Sequence, residues 1–133
     1  VFITAVKEAN AKGGMLAGMT NAKWDELNEH DSVVTGLQTS AAGKLLSKLE
    51  EDKGISKLYL RDEKGNLVAG SNKPLLFNNA ARGPFKNAIG GKVFSENEAK
   101  RDPTTQEKSV QASAPIMDGG KPIGVIHTAV NAN

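Results

Sequence analysis

The chain has 133 residues with 17 basic and 15 acidic side chains, a formal net charge of +2 and a pI near 8.9. That length supports one ordinary domain with its own core, and the near balance of charge leaves no broad field to steer nucleic acid or an anionic membrane surface. Cysteine is absent, which excludes disulfides, thiolate nucleophiles and sulfur-rich metal sites together, and fits either the cytoplasm or the periplasm.

Trp24 and Tyr59 are the only large polar aromatics, too few for a base-stacking platform. No apolar run reaches the ~20 residues of a membrane span, and no signal-peptide pattern stands at the start. A chain that opens on Val1 and closes on the tail Asn131-Ala132-Asn133 reads as a processed protein or a fragment.

In chain order, Phe2, Ile3, Val6 and Ala9 share one helical face before Gly13-Gly14. Met15, Leu16 and Met19 form an apolar linker. Thr20 offers an N-cap oxygen to a short helix through Trp24 and Leu27. Asp31 and Ser32 then start what the spacing predicts to be the longest helix. Val33, Leu37, Ala41, Leu45 and Leu49 recur every fourth residue, Val34 and Leu46 widen the stripe, and Gly54 ends it. Lys44, Lys48, Glu51 and Asp52 make its solvated face.

From Ile55 the period changes to that of a strand. Residues 57–61 alternate, 62–66 turn the chain and 67–71 return it, which is a hairpin. Leu58 and Leu60 are expected to face the long helix, leaving Tyr59 and Arg61 on the other side of the sheet. Residues 72–84 are a long apolar-rich connection of the kind that serves as a lid or binding loop, followed by a short helix over 85–89. A strand over 92–95 and the loop from Glu98 to Lys108 lead to the last and most informative stretch. There, two β-branched and apolar runs, 109–117 and 123–130, are joined by Asp118-Gly119-Gly120-Lys121, a hairpin turn signal. The second run carries almost no charge and is expected in the middle of the sheet. His127 inside it, and Gln111 and Ser113 in its partner, must find hydrogen bonds or cost roughly 1–3 kcal/mol each. A bound small molecule could supply those bonds, and so could the protein.

This order of elements resembles the extracytoplasmic PAS-like sensor domains known as single Cache domains. The likeness is carried by Leu58-Tyr-Leu-Arg-Asp-Glu-Lys-Gly-Asn-Leu-Val-Ala69, by Gly83-Pro-Phe-Lys-Asn-Ala-Ile-Gly-Gly-Lys92, and above all by Ser113-Ala-Pro-Ile-Met-Asp-Gly-Gly-Lys-Pro-Ile-Gly-Val125. The N-terminal segment also looks like a periplasmic Cache subgroup found both free-standing and as receptor ectodomains. The resemblance implies an α+β fold: a PAS-like five-stranded antiparallel sheet, a long N-terminal helix on one face, and a ligand pocket under a lid on the other. The whole of 1–133 would be one sensor domain, with helices over 1–53 and the sheet, lid and short helix over 54–133.

The resemblance further implies a small-molecule ligand and a chemoreceptor or kinase as the output. It implies a place on the periplasmic or extracellular side of a bacterial inner membrane, tethering to that membrane, and a homodimer through the N-terminal helices. A free-standing periplasmic binding module is the alternative. Matched by motif, pocket positions fall on Ala69, Asn72, Phe85, Gln111, Ser113 and His127. Citrate and dicarboxylate sensors of this family have arginines where this chain has Ala69 and Gln111, so a di- or tricarboxylate would lack bidentate partners. Amino-acid sensors have an aspartate where this chain has Ala129. A small mono-anionic or neutral metabolite such as a short carboxylate is therefore the expected ligand. Arg61, Arg82, Lys86 and a protonated His127 are the cationic candidates to hold it.

Each candidate also has a plain structural reading. His127 can be a satisfied core histidine, Gln111 and Ser113 can face solvent, and Arg82 and Lys86 can be solvated. Tyr59 can be a packed wall with its hydroxyl bonded, and Phe85 an anchor for the short helix. Catalysis is not expected. With His30 and His127 the only histidines and no Gly-x-Ser-x-Gly or His-Glu-x-x-His, neither a nucleophile–base pair nor a metal cluster can be assembled, and no cofactor is implied.

Overall fold

A computed structural model describes residues 1–51, 54–96, 98–101 and 108–131. Asp52, most of the loop from Glu98 to Lys108, and Ala132 and Asn133 of the tail lie outside the described residues. Helix α1 (Phe2–Lys12) buries Val6 and Ala9, whereas Ile3, expected on the same face, is 46% exposed. Helix α2 (Asn21–Asp25) begins at Thr20, whose hydroxyl oxygen accepts from the Lys23 N–H at 3.2 Å.

The single long helix expected after Asp31 is two helices, α3 (Ser32–Thr39) and α4 (Ala41–Leu49). Ser40 separates them. Its backbone is extended (φ −61°, ψ 165°), and its Oγ accepts from the Gly43 N–H at 3.1 Å, so it closes one helix and caps the next. The break turns the apolar stripe: Val34, Leu37, Ala42 and Leu46 are buried, while Val33, Ala41 and Leu49 of the predicted stripe are exposed. Gly43 permits the corner, because a Cβ there would stand 2.4 Å from the Leu37 carbonyl oxygen and 2.5 Å from that of Gln38. In an open helix, Gly→Ala stabilises by about 1 kcal/mol. Here Gly43→Ala is expected to destabilise by about 2 kcal/mol, since backbone must move to admit the methyl. Urea unfolding midpoints test the sign, and a stabilised variant would mean that the corner is not packed in this way.

Strand β1 (Ile55–Asp62) and β2 (Leu67–Gly70) form the first hairpin. Helix α5 (Gly83–Ile89) precedes two short strands, β3 (Phe94–Ser95) and β4 (Lys100–Arg101). Strands β5 (Lys108–Asp118) and β6 (Lys121–Asn131) are the long hairpin, turned by Gly119 and Gly120 at φ 58° and 82°. The sheet is antiparallel in the order β2-β1-β6-β5-β3, with β4 also on β5. It therefore has one strand more than the five expected, and the strand expected over 92–95 is confined to Phe94–Ser95.

The uncharged run is central, as its composition required: β6 pairs along both sides, with His127 opposite Tyr59 of β1 and Ser113 of β5. Alternation then sorts the side chains. Leu58, Leu60 and Ile126 pack against Val6 and Ala9 of α1 and Ala42 and Leu46 of α4, so two helices share the face that one was expected to cover. Burying Leu58 and Leu60 contributes about 1.5–3 kcal/mol each. Lys57, Tyr59, Arg61, Gln111, Ser113 and His127 take the opposite face. Helix α5 covers one end of that face, where Phe85 and Ala88 meet Val125. Residues 71–82 cross over the rest with no helix or strand of their own.

Candidate functional site

Between the crossover and the sheet lies a cavity of about 380 Å³. Lys57, Tyr59 and Arg61 of β1, Gln111 of β5 and His127 of β6 form its floor. Leu75, Leu76, Asn79 and Arg82 of the crossover form its roof, and Glu96, Lys100 and Arg101 its rim.

The floor is hydrogen-bonded to itself and to the roof. Gln111 Oε1 accepts from His127 Nε2 at 2.7 Å, and the Tyr59 hydroxyl donates to Asn72 Oδ1. The Tyr59 and His127 rings meet edge-on with centroids 6.4 Å apart, and the Lys57 and Arg61 cations stand 5.6 and 5.9 Å from the centre of the Tyr59 ring. Arg61 is fully buried, and burial pushes its guanidinium down to about 10, with Tyr59 and then Asp62 pulling the other way. It remains a cation at neutral pH. That cation is the tie that holds the roof: Nη1 donates to the carbonyl oxygens of Phe77 at 2.6 Å and Gly65 at 3.3 Å, and Nη2 to that of Leu76 at 3.1 Å.

Further bonds fix the crossover from outside. Trp24 Nε1 donates to the Pro74 carbonyl at 2.9 Å. The Asn21 side chain bonds the Asn78 backbone twice, Oδ1 accepting from its N–H at 2.8 Å and Nδ2 donating to its carbonyl at 3.0 Å, and Asn78 Nδ2 donates to Asn66 Oδ1 at 2.9 Å. The asparagine-rich stretch is thus a zip to the β1–β2 turn and to α2, and the protein's own bonds hold the roof over the cavity. Arg82 differs from Arg61. It is exposed, stands where α5 begins, and its guanidinium makes no hydrogen bond or ion pair among the described residues. Among the described residues of the lining, Lys57, Arg61, Arg82, Lys100 and Arg101 accompany one acid, Glu96. Glu96 is itself engaged, accepting from the Gln111 N–H at 3.0 Å and standing 3.5 Å from Lys100 Nζ.

Of the residues expected in a site, Tyr59, Arg61, Arg82, Gln111 and His127 line this cavity. Asn72, Phe85 and Ser113 do not. Asn72 is spent on the Tyr59 hydroxyl, Phe85 faces Val125, and the Ser113 hydroxyl donates to the Pro84 carbonyl at 2.6 Å, fastening α5 to the sheet. Ala69, matched by motif to a pocket position, is instead opposite Leu60 in the core under α1 and α4. Its small size therefore says nothing about the ligand. Lys86 is exposed and off the cavity. Lys57 went unnoticed although it precedes Tyr59 by two residues, the spacing that puts both on one face. Asn79, Glu96, Lys100 and Arg101 carried no such signal.

The fold is similar to those of solved sensor and ligand-binding domains. The sensor domain of the Vibrio cholerae histidine kinase DctB superposes with a TM-score of 0.57 at 19% identity, over 98% of this chain and 52% of that one. The ligand-binding domain of the Campylobacter jejuni chemoreceptor Tlp3 in complex with L-valine gives 0.58 at 14% identity, over 96% and 54%. The Pseudomonas aeruginosa amino acid chemoreceptor PctC ligand-binding domain in complex with GABA gives 0.50 at 15%, over 98% and 58%. The chain shares the fold of these domains. It spans about half their length, and at such identities the likeness is one of fold. No family model and no curated protein matches the sequence.

Proposed function

We propose that the chain is the ligand-binding unit of an extracytoplasmic sensor and that its cavity takes a small organic anion, a short carboxylate. The observation that carries this reading is the excess of cations, among the described residues, around a cavity of about 380 Å³, a size within the ~300–1,000 Å³ usual for small-molecule sites. The fold supports it, because the matched DctB, Tlp3 and PctC structures are sensor or ligand-binding domains. The signal would pass to a chemoreceptor or kinase through flanking chain tethered to the membrane. Among the described residues no helix is long and apolar enough to cross a membrane, so tethering would rest on sequence outside the described elements. Exposure of Val1 and Ile3, 63% and 46%, supports pairing of two copies through α1.

Because Arg61 is committed to the roof, Arg82 is the cation with the most freedom to grip a carboxylate. A ligand shifts the folding equilibrium by mass action, about 2.7 kcal/mol at a hundred times its Kd. In a thermal-shift panel, short monocarboxylates are expected to raise Tm by several degrees and neutral sugars to leave it unchanged. Arg82→Ala is expected to leave the Tm of the free protein within about 2 °C, as for surface substitutions generally, and to weaken carboxylate binding about tenfold or more, the usual worth of a charged hydrogen bond. A panel in which only uncharged compounds shift Tm would reject the anion reading.

A further inference from the structure

Arg61 Nε and Asn79 Oδ1, buried polar atoms on residues of the cavity wall, have no hydrogen-bond partner among the described residues. Arg61 is 2% and Asn79 5% exposed, and folded proteins pair nearly every such group. The two residues meet at one oxygen: Arg61 Nη1 and the Asn79 backbone N–H both donate to the Gly65 carbonyl, at 3.3 and 3.2 Å. One unpaired atom is a donor and the other an acceptor. Neither is needed to hold the roof, which is tied through Nη1, Nη2 and main-chain groups.

We propose that Arg61 Nε and Asn79 Oδ1 form a subsite for a hydroxyl group of the ligand, so that the cavity takes a short hydroxycarboxylate in preference to the plain acid. The inference rests on the anion reading given above and sharpens it. A hydroxyl is the small group that both accepts, here from Nε–H, and donates, here to Oδ1. An ammonium only donates and would bring its charge against the guanidinium. A carboxylate only accepts and would leave Oδ1 unpaired. The free cation for the ligand's carboxylate is close in the chain, since the Arg82 N–H donates to the Asn79 carbonyl at 2.9 Å. Both groups of a hydroxycarboxylate thus find partners from one turn of the roof and the arginine beneath it. The Asn79 side chain makes no hydrogen bond or ion pair among the described residues, so as a purely structural residue it would be a poor choice for a buried position.

The test is calorimetric titration of the protein and its Asn79→Ala variant with propionate, 2-hydroxypropionate, 3-hydroxypropionate and 2-aminopropionate. One of the hydroxy acids is expected to bind on the order of 10- to 100-fold more tightly than propionate. In Asn79→Ala that advantage is expected to fall to about twofold, while the urea midpoint of the free variant is not lowered, because no bond is lost. Equal affinity for propionate and both hydroxy acids overturns the subsite and leaves the anion reading standing, with ordered water on the two atoms. Tightest binding by 2-aminopropionate, or a hydroxyl advantage that survives in Asn79→Ala, also overturns it. Failure of all four acids to bind removes the anion reading and the subsite with it.

Discussion

Replacing Arg61 by methionine is expected to destabilise the protein by about 2–5 kcal/mol, and replacing it by lysine is expected to be no better. The guanidinium makes three charge-assisted hydrogen bonds to roof and turn carbonyls, each contributing about 1.5–3 kcal/mol. Against them stands the cost of burying the cation, which shows in the lowering of Arg61 to about 10 and corresponds to about 3 kcal/mol. Methionine gives up the bonds and is also relieved of that cost. The carbonyls do not suffer equally: Phe77 O keeps the Leu67 N–H at 2.8 Å and Gly65 O keeps that of Asn79, whereas Leu76 O has no second donor among the described residues. Lysine keeps a buried charge but replaces a planar fork with a point, so it cannot span Leu76, Phe77 and Gly65 together. At roughly 3–5 °C per kcal/mol for a chain of this size, both variants should melt about 10 °C or more below the parent. A lysine variant of nearly parental Tm would show that charge alone ties the roof to the sheet.

Trp24→Ala is expected to cost about 3–5 kcal/mol, the range for deleting a large buried ring. Trp24 is 0% exposed and packs with Val34, Leu37, Leu67 and Phe77, its ring centroid 5.4 Å from that of Phe77. Its indole N–H also holds the Pro74 carbonyl, and Lys73 Nζ lies 5.0 Å over the ring. Trp24→Phe separates these roles. It keeps most of the packing and leaves one buried carbonyl unpaired, for about 1–3 kcal/mol. Because Pro74 begins the roof, the loss should also be local: amide exchange at Leu67, whose N–H donates to Phe77 O, should accelerate more than exchange in the β5–β6 ladder. Denaturant unfolding gives the first quantity and hydrogen exchange the second. Uniform acceleration across the sheet in Trp24→Phe would mean that α2 braces the whole domain rather than its roof.

The sheet was legible in the chain because its determinants are local. Period-two alternation at 57–61, the Gly119-Gly120 turn and the uncharged run at 123–130 each specify a strand, a reversal or a central position without reference to distant residues. The same alternation put Tyr59, Arg61 and His127 on the cavity side. The corner at Ser40 was hidden, because a stripe repeating every fourth residue reads as one helix. Only the packing of the two helices, with Gly43 against the Leu37 carbonyl, shows the break that Ser40-Ala-Ala-Gly43 encodes.

What the sequence determined by itself was the α+β order of elements, which run is central, and which side chains of a strand share a face, since all of these follow from backbone geometry acting over a few residues. What only the tertiary structure decided was the use of each polar side chain. Arg61 could have gripped a carboxylate with its fork and instead holds three carbonyls through Nη1 and Nη2; Asn72 and Ser113 are spent on Tyr59 and Pro84; Asn79, unremarkable in the chain, has a side-chain oxygen with no partner among the described residues. A hydrogen bond is fixed by where its partner lies in space, and those partners come from 13 to 29 positions away for Asn72 and Ser113, beyond what any local pattern encodes.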